Sequence, residues 1–145
     1  MNDPHKFERD FMRRTLRILD DYAGPYDATL LLNCTLGLLI VPREALIDCI
    51  PRDPMAQLGG WGITPGSIKS FGHPTRNNPH PETLRGFVRS LRDAIAHFRI
   101  RPIQGGGRVN GFSFSAENHF QADVPLAEMR EFLRHLAQHV EQAGR

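Results

Sequence analysis

The residue types best suited to chemistry crowd into Arg92-Asp93-Ala94-Ile95-Ala96-His97. On a helix, Asp93 and His97 are i, i+4 neighbours, and Arg89 precedes Asp93 by one turn on the same face. Asp93 can then orient an imidazole and neutralise a guanidinium. His97 falls at the expected helix C-terminus, where the helix dipole favours a cation. An Arg, an acid and a His on one wet face suit phosphodiester chemistry: the imidazole moves a proton, and the guanidinium holds charge developing on the phosphorus-bound oxygens. A solvated stripe of ion pairs is the competing reading. Spacing by itself is a weak filter. With sixteen Arg and seven His in 145 residues, chance supplies roughly one Arg-x4-His. The chain has three: Arg92 to His97, Arg130 to His135, and Arg134 to His139.

Other constellations are less specific. His135 and His139 stand at i, i+4, a spacing that lets two imidazoles share one ion. The residues between them are Leu136-Ala137-Gln138, which bring no general base, and a solvated helix face is the expectation. His73 and His80 could join such a site, but no spacing demands it, so no metal and no cofactor is expected. Gly105-Gly106-Gly107 lacks the Lys-Ser/Thr of a phosphate loop and reads as a hairpin turn. No Gly-x-Ser-x-Gly occurs, and neither Cys34 nor Cys49 has a recognisable catalytic partner. Asn33, inside Leu30-Leu31-Leu32-Asn33-Cys34-Thr35-Leu36, carries an amide that must be hydrogen-bonded if buried. It is either satisfied by a neighbouring helix or aimed into a polar site between helices.

Elements that would position these groups follow from the apolar period. Pro4 to Tyr22 reads as an amphipathic helix with Asp3 as N-cap and a stripe of Phe7, Phe11, Ile18 and Tyr22. Gly24-Pro25 ends it, and Asp27 caps a second helix through Val41 that is apolar nearly all round. Pro42 breaks that helix, with room for a short one from Glu44 to Ile50. Residues 51–81 hold six Pro, five Gly and the only Trp, and are expected to form a long irregular insertion with at most one helical turn. Leu84, Phe87, Val88, Leu91, Ile95 and Phe98 then share one arc of a helix, leaving Arg85, Arg89, Arg92, Asp93 and His97 on the other. Phe98–Ile103, Phe112–Phe114 and Phe120–Val124 alternate as two or three short strands, and Pro125 to Val140 is a closing helix.

Composition sets the outer limits. One soluble domain over residues 1–145 is expected, long enough to bury about two-thirds of its unfolded surface without staples. Net charge is +2, with sixteen Arg against two Lys. Arg grips phosphate and carboxylate with a planar fork, although a GC-rich coding sequence gives the same bias. Two cysteines fifteen residues apart argue for no disulfide and a reducing compartment. The fourteen-residue run from Ala28 to Val41 is short of the ~20 residues a membrane span requires. No signal-like segment opens the chain. A cytoplasmic protein with no membrane partner is the expectation.

Arg92-Asp93-Ala94-Ile95-Ala96-His97-Phe98 resembles the Arg-polar-x3-His signature of HEPN domains, with Asp93 where Asn is common. Leu30 to Pro42 is similar to the buried second helix of short stand-alone bacterial HEPN proteins, and the strands and closing helix from Val109 to Leu136 fit that group. The resemblance implies a mainly α, HEPN-like helical bundle with a small antiparallel hairpin or meander before the last helix. It further implies a homodimer that brings two motifs together around a basic cleft. Many such domains are metal-independent endoribonucleases of toxin–antitoxin or anti-phage systems, leaving a 2′,3′-cyclic phosphate and a 5′-hydroxyl. Carried over, Arg92, Asp93 and His97 are the catalytic candidates, with Asn33 at a polar position of the second helix. Arg89 and Arg85, on the same polar arc as the motif, are with Asn33 the supporting or substrate-binding candidates. RNA is the implied partner, with a cognate antitoxin or regulator as another. A catalytically silent RNA-binding or protein-interaction module is the alternative. The small residues Gly86, Ala94 and Ala96 are expected to let a second helix approach the motif.

Overall fold

The computed structural model describes residues 6–25, 27–40 and 48–143. Helices α1 (Lys6–Asp21) and α2 (Asp27–Ile40) come first. Two 3-10 segments, Met55–Gly62 and Pro65–Ser67, lead into strand β1 (Ile68–Ser70). Helix α3 (Leu84–Ala96) follows, then β2 (Ile100–Gly105), β3 (Arg108–Ser115), β4 (Gln121–Pro125) and helix α4 (Leu126–Ala143). The strands form one antiparallel sheet in the order β1-β4-β3-β2. Asp3, Pro4, Val41, Pro42 and the start of the short helix expected at Glu44 lie outside the described residues. No helix among the described residues is long and apolar enough to cross a membrane.

This architecture is mixed α/β and overturns the expectation of a mainly α bundle carrying a small hairpin. The sheet is a full layer. Phe112 pairs with Val124 and Phe114 with Ala122, and all four are buried where α2, α3 and α4 pack on the sheet. The alternate residues Ser113, Gln121 and Asp123 point to the other face, where the Gln121 amide donates to Ser113 Oγ at 2.7 Å and to Asp123 Oδ1 at 2.8 Å. The Phe-Ser-Phe-Ser alternation therefore builds a one-sided sheet. Strand β1 comes from the Pro/Gly-rich segment and is too short for a period of two to stand out. At the β2–β3 hairpin, Gly106 and Gly107 both have positive φ, +60° and +78°. A two-residue turn of that handedness matches the strand twist and suits Gly-Gly.

Aromatic side chains join the layers. Phe87 of α3 meets Phe120 and Phe132 edge-on, with centroids 5.8 and 5.4 Å apart. The segment 51–81 is held at several points: Glu128 Oε1 of α4 accepts from the Thr64 backbone N–H at 2.8 Å and from Ser67 Oγ at 2.7 Å. Two apolar stripes differ from their expected phase. Helix α1 buries Glu8, Met12, Thr15 and Leu19, one residue round from the expected stripe, leaving Phe7 73% and Ile18 54% exposed. Both phases are partly apolar, and packing against α2 and α4 selects between them. Phe98, assigned to the buried arc of α3, is 93% exposed, because the helix stops before it.

Candidate active site

The way α3 begins and ends determines what its polar face presents. Thr83 caps the start, its Oγ1 accepting from the Gly86 N–H at 3.0 Å. Over that first turn lies the loop 78–81. A Cβ on Gly86 would fall 2.1 Å from the His80 carbonyl oxygen, so glycine there is required by close approach of the chain's own loop. Gly86 therefore faces a neighbouring segment of the same chain, and Ala94 is fully buried in the core. Neither supplies the surface for a second helix that their small size suggested. Asn78 is buried and pins the same loop, donating from Nδ2 to the Gly86 carbonyl at 3.0 Å and to Ser90 Oγ at 3.1 Å.

The C-terminal end is a Schellman turn. The Phe98 N–H donates to the Ile95 carbonyl at 3.1 Å and the Arg99 N–H to the Ala94 carbonyl at 2.7 Å. Phe98 occupies the left-handed position with φ +55°, a place where glycine is the unstrained choice. His97 is the C-cap. Its Nε2 lies 3.4 Å from Asp93 Oδ1, an ion-pair distance, with both side chains more than half exposed.

An open cleft of about 540 Å³ runs along this end of α3. Arg89, Ser90, Arg92 and Asp93 line one side, and Glu117 and Asn118 of the β3–β4 turn the other. Asn118 is itself positioned by exchange with the loop below: its carbonyl accepts from the His73 N–H at 2.7 Å, and its Nδ2 donates to the His73 carbonyl at 3.0 Å. Glu117 accepts from Arg99 at 3.0 Å. His119, which follows Asn118, holds a positive φ of +71°. Thus, among the described residues, two of the three non-glycine residues with left-handed backbone, Phe98 and His119, lie within two positions of the lining residues Ala96 and Asn118; backbone strain of this kind tends to collect at functional sites.

The structure brings Arg92, Asp93 and Arg89 to the cleft and leaves His97 at its outer end, on the same helix but outside the lining. Arg89 and Arg85 are tied down. The Arg89 guanidinium donates to Asp48 Oδ1 at 2.5 Å and to the Asn77 carbonyl at 3.1 Å. Arg85 donates to the Ile50 carbonyl at 2.9 Å and to the Asp48 carbonyl. Both hold the Asp48–Ile50 turn to α3. Asn33 is exposed on α2 and lines neither this cleft nor the one beside it. Asn78, Ser90, Glu117 and Asn118 were missed by sequence reasoning. They come from three separate segments, and no local pattern announces them.

The two other Arg-x4-His pairs are built into α4 quite differently. Arg130 donates to the Leu19 carbonyl. Arg134 bridges Asp20 at 2.6 Å and Glu131 at 2.7 Å, and the hydrogen bond to Asp20 raises its pKa above the ordinary value. Trp61 stacks against His135 and lies beside His139, with ring centroids 5.9 and 5.4 Å away, and His139 Nε2 is 2.9 Å from the Cys49 carbonyl oxygen. His135 is exposed and His139 half-buried, so this face is solvated as expected, with Trp61 stacked on it. Among the described residues, no group of three or more His, Cys, Asp or Glu side chains is arranged to hold a metal ion.

The chain belongs to the HEPN class, whose motif its Arg92-Asp93-x3-His97 set resembles. The family model that matches is described as HEPN pEK499 p136, and it spans residues 1–144. No curated protein and no solved structure matches significantly.

Proposed function

We propose that this HEPN domain is an endoribonuclease that cleaves RNA by intramolecular transesterification without a divalent ion. One observation carries the reading. Arg92 and Asp93 line an open cleft while the exposed imidazole of His97 caps the same helix within ion-pair distance of Asp93. In the reaction, the ribose 2′-oxygen attacks the adjacent phosphorus, the P–O5′ bond breaks, and a 2′,3′-cyclic phosphate and a 5′-hydroxyl result. His97 takes the 2′-hydroxyl proton or delivers one to O5′. With Nε2 turned to Asp93, Nδ1 is the nitrogen that faces the reaction, and Asp93 fixes the ring. Arg92 stabilises the extra negative charge on the phosphorane oxygens.

Arg92 and His97 are five residues apart, about 140° round the helix, so one chain does not easily aim both at one phosphate. Two copies across a two-fold axis can set Arg92 of one against His97 of the other. We therefore assign the working form as a homodimer, with RNA as substrate and a cognate antitoxin or regulator as its control, in a toxin–antitoxin or anti-phage setting. Incubation of the purified protein with mixed RNA and EDTA, followed by analysis of the product ends, tests the reading. Cyclic phosphate and 5′-hydroxyl ends are expected. Intact RNA, bound with a steep salt dependence, would instead identify a silent RNA-binding module. Activity lost to chelator and restored by a divalent ion would overturn the metal-free mechanism.

A further inference from the structure

A second cleft, of about 470 Å³, opens over the N-terminal half of α3. Arg52, His80, Glu82 and Arg85 line it, and it shares Asn78 and Arg89 with the first cleft. The two clefts are therefore neighbours along one helix, separated by the side chains that wall both. Arg85, Arg89 and Arg92 follow one another at i, i+4 and i+7, which puts them within about 60° of arc and about 10 Å of helix rise. They form a single guanidinium stripe leading from the candidate catalytic cleft into the second one.

The charge balance of the second cleft is uneven. Three guanidiniums in its lining, Arg52, Arg85 and Arg89, meet one carboxylate, Glu82, while Asp48, outside the lining, is engaged by Arg89. Glu82 is 3.9 Å from His80 Nδ1. Burial lowers the Arg85 pKa, and the neighbouring Arg52 and Arg89 charges lower it further against the pull of Asp48. Like charges are thus held close enough to repel, a cost that a bound anion would relieve. Arg85 and Arg89 are already fixed by backbone carbonyls, so little side-chain freedom is lost when they bind. Arg52 is exposed and forms no hydrogen bond or ion pair among the described residues. The first-turn amides of α3 are not available as ligands: Leu84 donates to Asp53, Arg85 to Pro51 and Gly86 to Thr83. The site is made of side chains.

We propose that the Arg52–His80–Arg85 cleft is a phosphate subsite for RNA, holding a backbone phosphate of the strand whose scissile phosphate lies at Arg92. The proposal rests on RNA as the ligand of the first cleft, and it sets the direction in which the strand leaves that cleft, toward the N-terminus of α3. It also predicts that a substrate too short to reach Arg52 is bound weakly.

The test uses the full-length protein and a labelled single-stranded RNA, with binding measured against salt and cleavage measured for the same RNA. Arg52→Ala should weaken binding roughly tenfold and reduce the salt slope by about one. The loss in cleavage should fall on KM, and Arg52→Lys should recover most of the affinity by restoring the charge. Arg14→Ala, which removes one exposed charge from α1, is the control for a general field effect. An Arg52→Ala protein with unchanged affinity and salt slope, while wild type binds and cleaves, overturns the subsite and leaves the ribonuclease reading intact. Weakened binding by Arg52→Ala, in a protein that binds but never cleaves, keeps the subsite and removes the ribonuclease. Wild-type protein that binds no RNA overturns both.

Discussion

Helices α3 and α4 carry the same Arg-x4-His spacing and use it for different ends. On α4, Arg130 and Arg134 reach back to Leu19, Asp20 and Glu131, and His135 and His139 stack beside Trp61. Those groups tie the closing helix to α1 and to the 3-10 segment. On α3, Arg92 and Asp93 line an open cleft, and His97 sits at a helix end with its ring in water. What separates them is position along the helix. On α4 the two guanidiniums are taken up by neighbouring groups and the rings stack beside Trp61, whereas the pair at the end of α3, beside a turn, faces an open cleft that a ligand can fill. Identical spacing therefore predicts brace or site only once the tertiary surroundings are known.

The sharpest way to break this comparison is to exchange the expected losses. His97→Ala should reduce RNA cleavage by about 10²–10⁴-fold, the range of a general acid or base, with no fall in melting temperature because the ring is exposed. His139→Ala should leave cleavage nearly intact and lower the melting temperature. Cleavage kinetics and thermal denaturation of both variants decide it, and the reverse ranking would transfer the site to α4. Hybrid dimers refine the same point. Inactive Arg92→Ala and His97→Ala chains, mixed and allowed to exchange, should recover part of the activity if the site is shared between subunits.

Next in size is the brace itself. Trp61 touches Phe132, His135 and His139, so Trp61→Ala should destabilise the fold by about 2–3 kcal/mol, below the range for a fully buried Trp. Urea unfolding followed by circular dichroism measures it, since the chain's only Trp is the residue removed. Cleavage at a temperature well below the midpoint should persist. Removing both ion pairs of Arg134, to Asp20 and Glu131, through Arg134→Ala should cost less, about 0.5–1 kcal/mol, as partly exposed pairs do. A larger loss in activity than in stability from either variant would mean that α4 contributes to the site.

Legibility in the sequence divides along the same line. The apolar arc of α3 has one dominant phase, so the polar arc bearing Arg85, Arg89, Arg92 and Asp93 could be read directly. The phase of α1 could not, because Phe7 and Ile18 compete with Met12 and Leu19 and only packing chooses. The weight of the sheet was underestimated for a related reason. Ile68-Lys69-Ser70 is three residues long, and its pairing with β4 is a long-range contact with no local trace. Arg92, Asp93 and His97 were visible as residue types at a spacing. The groups that complete the cleft, Asn78 and Asn118, lie on distant segments whose approach depends on the whole fold. Arg85 and Arg89 were expected to support the site or bind substrate, and their ties to Asp48 and nearby carbonyls are tertiary facts.

The smallest expected effect concerns the residue that ends α3. Phe98 takes the left-handed position of the Schellman turn at φ +55° and is 93% exposed. Within one chain, replacing it by glycine removes little packing and relieves backbone strain, so Phe98→Gly should stabilise the protein by up to about 1 kcal/mol. For a domain of this size that is roughly 3–4 °C in melting temperature. The measurement discriminates between two environments for the end of α3. A rise means that the ring is in water in the working protein, and the strained backbone serves only to turn the chain away from His97. A fall that deepens as the protein is diluted means that the ring is covered by a second copy, and that the phenylalanine is retained because dimerisation buries it beside the catalytic histidine.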